Sequence, residues 1–284
     1  MLSAIIGLGA LGCIFGAMLS LASKKFHVQL DPREEALIGA LPGTNCGACG
    51  FPGCQGMAKA VLKGEAPTNS CTAGGAEVTQ RVSAIMGVEA VIKEKEIAVI
   101  MCKGGRKEAK DRFRYAGIHD CKAASMIAGG AKSCGYGCLG LATCETVCPY
   151  DAIKMDGNAL PVVDEKKCTG CGICAANCPK FLIKMIREPN QIHIRCNSLD
   201  KGAVTRKNCS VGCIVCKKCE KACPVGAITI RDNLAVIDPF KCDNCRKCVA
   251  SCPTDTIENY YSGEPRFASL IEKQLDESQS NAAA

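Results

Sequence analysis

Cys213-Ile-Val-Cys216-Lys-Lys-Cys219-Glu-Lys-Ala-Cys223-Pro224 and, after a short bridge, Cys242-Asp-Asn-Cys245-Arg-Lys-Cys248-Val-Ala-Ser-Cys252-Pro253 decide how this chain is read. Each half is C-x2-C-x2-C-x3-C-P. Three thiolates so close in sequence suit three corners of one iron–sulfur cubane, and the fourth, on a turn stiffened by proline, points away to the other cluster. The expected sets are Cys213, Cys216, Cys219 and Cys252 for one [4Fe–4S] cluster and Cys242, Cys245, Cys248 and Cys223 for a second. About 40 residues cannot bury a sufficient core, so the clusters must supply much of the folding free energy. Zinc is the competing metal. It usually takes separated cysteine pairs, often with histidine, so two tandem triples each ending in Cys-Pro fit iron–sulfur better.

This run resembles that of bacterial two-cluster ferredoxins, and the chain carries it twice. Lys132–Pro179 brings Cys134, Cys138, Cys144, Cys148-Pro149 and then Cys168, Cys171, Cys174, Cys178-Pro179. The second half has the standard spacing; the first reads C-x3-C-x5-C-x3-C-P. The expected sets are Cys134, Cys138, Cys144, Cys178 and Cys168, Cys171, Cys174, Cys148. Lys132-Ser-Cys134-Gly-Tyr-Gly-Cys138 parallels Lys207-Asn-Cys209-Ser-Val-Gly-Cys213, so the two stretches form an internal repeat. In that alignment Cys209 matches Cys134, and no cysteine of the first module matches Cys216. The standard triple is preferred in the second module, which leaves Cys209 spare.

Upstream, Gly43-Thr-Asn-Cys46-Gly-Ala-Cys49-Gly-Phe-Pro-Gly-Cys54 with Cys71 offers four more thiolates, C-x2-C-x4-C-x16-C, among glycines that let the backbone wrap closely. One further [4Fe–4S] cluster is expected on Cys46, Cys49, Cys54 and Cys71, with zinc the alternative. Asp31 reads as the N-cap of a helix with Pro32 at its first position. Helices are expected over Gln55–Lys63 and Val78–Lys93, a buried strand over Glu96–Cys102, a charged surface helix over Lys107–Tyr115, and a short helix fading into a tail over Pro265–Ala284.

The chain has 25 cysteines in 284 residues, no tryptophan and three histidines. A histidine-based site is not expected; His27, His119 and His193 read as structural or exposed. Cluster ligands need reduced thiols, hence a reducing compartment. The formal charge of +7 becomes about −3 once five clusters of net charge −2 are bound. With no basic patch interleaved with aromatics, nucleic-acid binding is not expected. Five clusters use twenty cysteines. Cys13, Cys102, Cys121, Cys196 and Cys209 remain; the last four leave room for a sixth cluster or are buried structural thiols.

Met1 to Ser23 contains no charged residue, and Leu2–Ala22 spans about 32 Å as a helix, enough for a hydrocarbon core of about 30 Å. Lys24 and Lys25 follow at once. The positive-inside rule places the N-terminus outside and the rest in the cytoplasm, a single-pass anchor in the cell (inner) membrane. A cleaved signal peptide needs a positive first segment, which is absent. Gly12 and Gly16 form G-x-x-x-G, which permits close packing on other membrane subunits.

Together the membrane helix, the Cys46–Cys71 motif and the two following modules resemble the B subunit of the Rnf complex, in its longer form, over nearly the whole chain. The resemblance implies a subunit of an ion-translocating ferredoxin:NAD+ oxidoreductase. It would take electrons from reduced soluble ferredoxin and pass them to membrane subunits. An electron-carrier subunit of a hydrogenase or formate dehydrogenase, and a non-redox metal-stapled protein, are the alternatives. No catalytic residue stands out. The expected fold class is α+β: a transmembrane helix (1–23), a small helical [4Fe–4S] domain (30–75), a connector (76–131), two tandem bacterial-type 2[4Fe–4S] ferredoxin modules (132–187 and 188–262), and a C-terminal helix and tail (263–284).

Overall fold

A computed structural model describes residues 2–25, 31–188 and 190–259. The helix and tail expected over 263–284, and His27, lie outside them. Helix α1 (Leu2–Lys25) opens the chain. Among the described residues no helix is long and apolar enough to cross a membrane.

Three helices follow: α2 (Pro32–Ala40), α3 (Gly53–Leu62) and α4 (Gly75–Met86). The Asp31 carboxylate accepts from the Arg33 backbone N–H and caps α2, with Pro32 at its start. Leu37, Met57, Val61 and Val82 close a small core that also takes in Cys71. The helix expected over Val78–Lys93 stops at Met86, because Gly87 turns left-handed (φ 67°) and its N–H caps the end.

The remaining chain is one unit used twice. The first copy runs β1 (Glu96–Ile100), α5 (Cys121–Met126), α6 (Thr143–Thr146), β2 (Ile153–Met155), β3 (Pro161–Val163), α7 (Ile173–Asn177) and β4 (Ile183–Arg187). The second runs β5 (Ile192–Ile194), α8 (Gly202–Asn208), α9 (Lys218–Ala222), β6 (Ile228–Arg231), β7 (Leu234–Ile237), α10 (Lys247–Ser251) and β8 (Ile257–Asn259). In each copy the first strand pairs antiparallel with the last, β1 with β4 and β5 with β8, and the middle two form a hairpin. So β1, which falls in the connector by sequence, is a strand of the first module's sheet. Ile97, Val99 and Ile100 on it are each 0% exposed. The β6–β7 hairpin turns on Asp232 and Asn233, both at positive φ, the mirror-image turn that matches strand twist.

The surface helix expected over Lys107–Tyr115 does not form. The Lys110 N–H donates to the Asn208 carbonyl and the Arg112 N–H to that of Ala131, while Ser133 and Ser210 donate back to Lys110 and Glu108. Bridges Ala109↔Cys209 and Asp111↔Lys132 complete the arrangement. The segment lies extended between the two modules. Its charges pattern it for water, but its backbone is satisfied by two distant segments, and those bonds outweigh weak helical propensity.

Below the cysteines the repeat is written in the backbone. Two residues before Cys144, Cys174, Cys219 and Cys248 stand Ala142, Gly172, Lys217 and Arg246, all at positive φ. Four residues before stand Gly140, Gly170, Val215 and Asn244, and seven after stand Asp151, Phe181, Gly226 and Asp255, again all at positive φ. Non-glycine residues rarely adopt this region. Twelve such positions in register mark one tight loop built four times.

His193 on β5 is buried, and burial, with the charge of Arg195, pulls its pKa down to about 4. Folding therefore favours the neutral ring. The stabilisation is complete above the ordinary histidine pKa of about 6.5 and is lost as pH falls towards 4, a loss of about 3 kcal/mol. The midpoint of thermal bleaching, recorded anaerobically at pH 7.5 and 5, is expected to fall less in His193→Leu than in the unchanged chain. An equal fall in both assigns no pH dependence to His193.

Candidate metal centres

The tight loops point thiols inward. Cys213, Cys216, Cys219 and Cys252 line one cavity. Cys46, Cys49, Cys54 and Cys71 line another. A third is lined by Cys138, Cys144, Cys178 and Cys121. Cys174 lies within electrostatic reach of Cys171, Cys168 and Cys148. Cys242 faces Cys223 and Cys245, and Cys248 faces Cys242 and Cys245. Five groups of four thiols are thus brought together.

The third group contains a residue that spacing did not bring forward. Aligned on Cys-Pro, the first half of the first module is Cys138-x2-Leu141-x2-Cys144-x3-Cys148. It is the standard run with leucine at the middle cysteine. Cys121, the first residue of α5, lines that cavity in its place. Asp120 fixes this helix start: its carboxylate accepts from the Ala123 N–H and the Thr143 hydroxyl, and Thr143 Oγ1 accepts from the Cys121 N–H. Cys134, placed in this group by sequence, instead has Cys102 among its neighbours. The missed signal was the leucine in register, and nothing local in the sequence says which distant cysteine replaces it.

Burial dominates the chemistry of these thiols. It pushes Cys174 and Cys138 up to about 12 and Cys219 to about 11, with neighbouring thiolates adding repulsion. Cys144 is raised by the same causes. Backbone N–H groups oppose this at the Cys-Pro turns. Ala152, Ala227 and Thr256 donate to the sulfurs of Cys148, Cys223 and Cys252, four residues earlier, at 3.4, 3.3 and 3.3 Å. At Cys252 burial raises the thiol, but N–H groups of Thr254, Ile257 and Thr256 outweigh it and bring it below its ordinary value. Four buried thiols with N–H groups aimed at their sulfurs fit a polynuclear iron–sulfur core, whose cationic irons replace the protons. When bound, such a core accepts and releases single electrons.

Three of the groups lie near one another. Cys171 feels Cys46 across the boundary between the N-terminal helices and the first module. Tyr150, in the turn after Cys148-Pro149, lines the Cys46 cavity and donates its hydroxyl to Cys46 Sγ at 3.9 Å. Cys144 feels Cys174, joining the two groups of the first module. Among the described residues no three histidine, cysteine or acidic side chains converge to hold a single metal ion.

Comparison with known proteins gives iron–sulfur families over parts of the chain. Residues 41–73 match the family described as "Putative Fe-S cluster", 161–184 the "4Fe-4S binding domain" and 212–256 the "4Fe-4S dicluster domain". The chain is 43% identical to the B subunit of the "Ion-translocating oxidoreductase complex" of Methanosarcina acetivorans, over 85% of this chain and 92% of that protein. It is 42% identical to the B subunit of the "Na(+)-translocating ferredoxin:NAD(+) oxidoreductase complex" of Acetobacterium woodii, over 83% and 71%. It is 38% identical to the B subunit of the "Proton-translocating ferredoxin:NAD(+) oxidoreductase complex" of Clostridium ljungdahlii, over 82% of each chain.

A hydrogen bond to a ligating sulfur favours the more negative, reduced state. Tyr150→Phe is therefore expected to lower the potential of one cluster in an EPR-monitored redox titration and to leave the iron content unchanged. An unchanged set of potentials removes this role from Tyr150.

Proposed function

This chain belongs to the family of B subunits of ion-translocating oxidoreductase complexes, and from that premise we propose that it carries electrons from reduced soluble ferredoxin to membrane subunits of a ferredoxin:NAD+ oxidoreductase. We assign five [4Fe–4S] clusters to Cys46, Cys49, Cys54, Cys71; to Cys121, Cys138, Cys144, Cys178; to Cys168, Cys171, Cys174, Cys148; to Cys213, Cys216, Cys219, Cys252; and to Cys242, Cys245, Cys248, Cys223. The second set exchanges Cys134 for Cys121. The ferredoxin modules begin at β1 and β5, with the single-cluster domain over 30–75 before them.

The observation that carries this reading is the succession of thiol groups leading to the N-terminal helices, with Cys174 close to Cys144 and Cys171 close to Cys46. α1 supplies the membrane end. Leu11, Ile14, Phe15, Met18, Leu19 and Leu21 are each more than half exposed and lie along one face of the helix, and the other face carries Gly9, Gly12 and Gly16 and no charge. A helix apolar all round calls for lipid or partner helices. Leu2–Ala22 is read as a single-pass anchor packed on other subunits, with the remaining chain on the cytoplasmic side.

The far end suits a soluble donor. Cys216 and Cys245 are the exposed cysteines of the two modules. Around them Lys217, Lys218, Lys221, Lys241, Arg246 and Lys247 are exposed, against Asp243. Such a patch steers an acidic electron-transfer protein towards the open thiols.

In inverted membrane vesicles carrying the full complex, reduced ferredoxin should drive NADH formation. Lys218→Glu/Lys247→Glu should raise the KM for ferredoxin, most at low ionic strength, and leave the dithionite-driven rate unchanged. A ferredoxin KM that does not move sinks this entry site. NADH formation driven by hydrogen or formate, and not by ferredoxin, sinks the function.

A further inference from the structure

Four cysteines outside those five sets come together where the two modules meet. Cys134 and Cys196 each lie within electrostatic reach of Cys102, and Cys209 of both Cys102 and Cys134. A Cβ built on Gly104 would stand 2.9 Å from the sulfur of Cys209 and 3.9 Å from that of Cys102. Only a residue without a side chain lets the backbone pass there. Cys102 and Cys209 are buried, and burial pushes Cys196 up to about 12.

The four are two equivalent pairs. Ile100-Met-Cys102 follows β1 as Ile194-Arg-Cys196 follows β5, and Lys132-Ser-Cys134 corresponds to Lys207-Asn-Cys209. Each module thus contributes one thiol just after its first strand and one just before its first cluster loop. The halves are tied by a bond from the Lys103 N–H to the Arg195 carbonyl, 3.0 Å, and by the extended 109–111 segment bridged to Cys209 on one side and Lys132 on the other.

A second observation concerns charge. Lys132 is 6% exposed, and its Nζ donates to the Gly104 carbonyl at 2.6 Å, beside the sulfurs of Cys209 and Cys102. Burying an ammonium is costly unless negative charge stands near it. The thiols close to Lys132 are Cys138 and Cys209. Four thiolates around a [4Fe–4S]2+ core supply net charge −2 at that place.

We propose that Cys102, Cys134, Cys196 and Cys209 hold a sixth [4Fe–4S] cluster, shared between the two modules. As the core binds, each thiol gives its proton to solvent and its sulfur to one iron. The assignment rests on the iron–sulfur reading of the other five sets and accounts for a feature common to both copies of the repeat. Each module has one standard place for Cys134 or Cys209 that its own clusters do not use. The site also closes the row of thiols. Cys138 donates its N–H to Cys102 Sγ at 3.5 Å, and Cys196 feels Cys213. The junction group therefore touches a cluster set of each module.

The test uses the full-length chain purified anaerobically. Six cubanes predict about 24 iron and as many acid-labile sulfide atoms per chain. Cys102→Ala/Cys209→Ala should lose one sixth of both, with a matching loss of [4Fe–4S] signal by Mössbauer spectroscopy. In the unchanged chain, native alkylation should spare all four cysteines. Five cubanes' worth of iron, with these four alkylated and the other twenty ligands spared, overturns the sixth site and leaves the five-cluster reading intact. A chain with little iron overturns both. If the double variant does not fold, the iron count and alkylation map of the unchanged chain decide alone.

Discussion

Four sulfurs enclosed in one cavity repel one another when ionised, and burial makes each of those charges costlier still. Most thiols of the described chain whose pKa departs from the ordinary cysteine value are pushed upward for these two reasons. A shell of such thiols is therefore a poor core by itself and a good one around cationic iron. The secondary structure offers no substitute: the helices of the modules are four to seven residues long and their sheets two-stranded. Elements that short and sheets that narrow are marginal alone. The backbone compensates by pinning its loops at left-handed residues and by turning N–H groups onto the sulfurs. Local strain is accepted so that sulfurs arrive at fixed places, and the metal core is what holds that strain in balance.

How much of this was legible in the sequence depended on how local each determinant is. The Cys-Pro loops read directly because three ligands and the turn lie within eleven residues, as from Cys213 to Cys223. The Asp31 cap and its Pro32 start were visible for the same reason. Two readings needed information from far along the chain. The segment 107–115 has the composition of a solvated helix, yet its hydrogen bonds go to 131–133 and 208–210. Leu141 stands where the standard run has a cysteine, and Cys121, which lines the same cavity, arrives from twenty residues upstream on a helix start set by Asp120 and Thr143. Counting cysteines in order makes Cys134 the natural third ligand. Aligning on the Cys-Pro turn instead exposes the leucine, because the turn fixes the register and the spacing before it does not.

The order of the thiol groups in space differs from their order in sequence. Along the chain Cys102 precedes every Cys-Pro loop of both modules; in space it stands where the modules meet, with Cys138 of the first on one side and Cys196 beside Cys213 on the other. The strand pairing explains this. Because β1 closes onto β4 and β5 onto β8, each module's first strand ends beside its last, and the residue after that strand is delivered to the boundary with the other copy. Repeating the unit thus generates a shared thiol site without any new element. Two residues of each copy suffice.

The direction proposed for the row rests on exposure. In the N-terminal helical domain Cys71 is buried, Cys46, Cys49 and Cys54 are half-buried, and the Tyr150 hydroxyl of the neighbouring module donates to Cys46 Sγ. In the second module Cys216 and Cys245 are exposed among lysines. A covered end suits a permanent neighbour, since a ligand sheltered by protein keeps the same environment through every encounter. An open, charged end suits a partner that comes and goes, because steering speeds arrival while a small polar contact lets it leave. Reversing that assignment would bring a diffusing donor to the end where Tyr150 and the α2–α4 core already occupy the approach, and would turn exposed thiols towards the membrane subunits. The same charges that favour a soluble acidic donor at α9 and α10 argue against a buried, permanent interface there, where six cations would each need a partner.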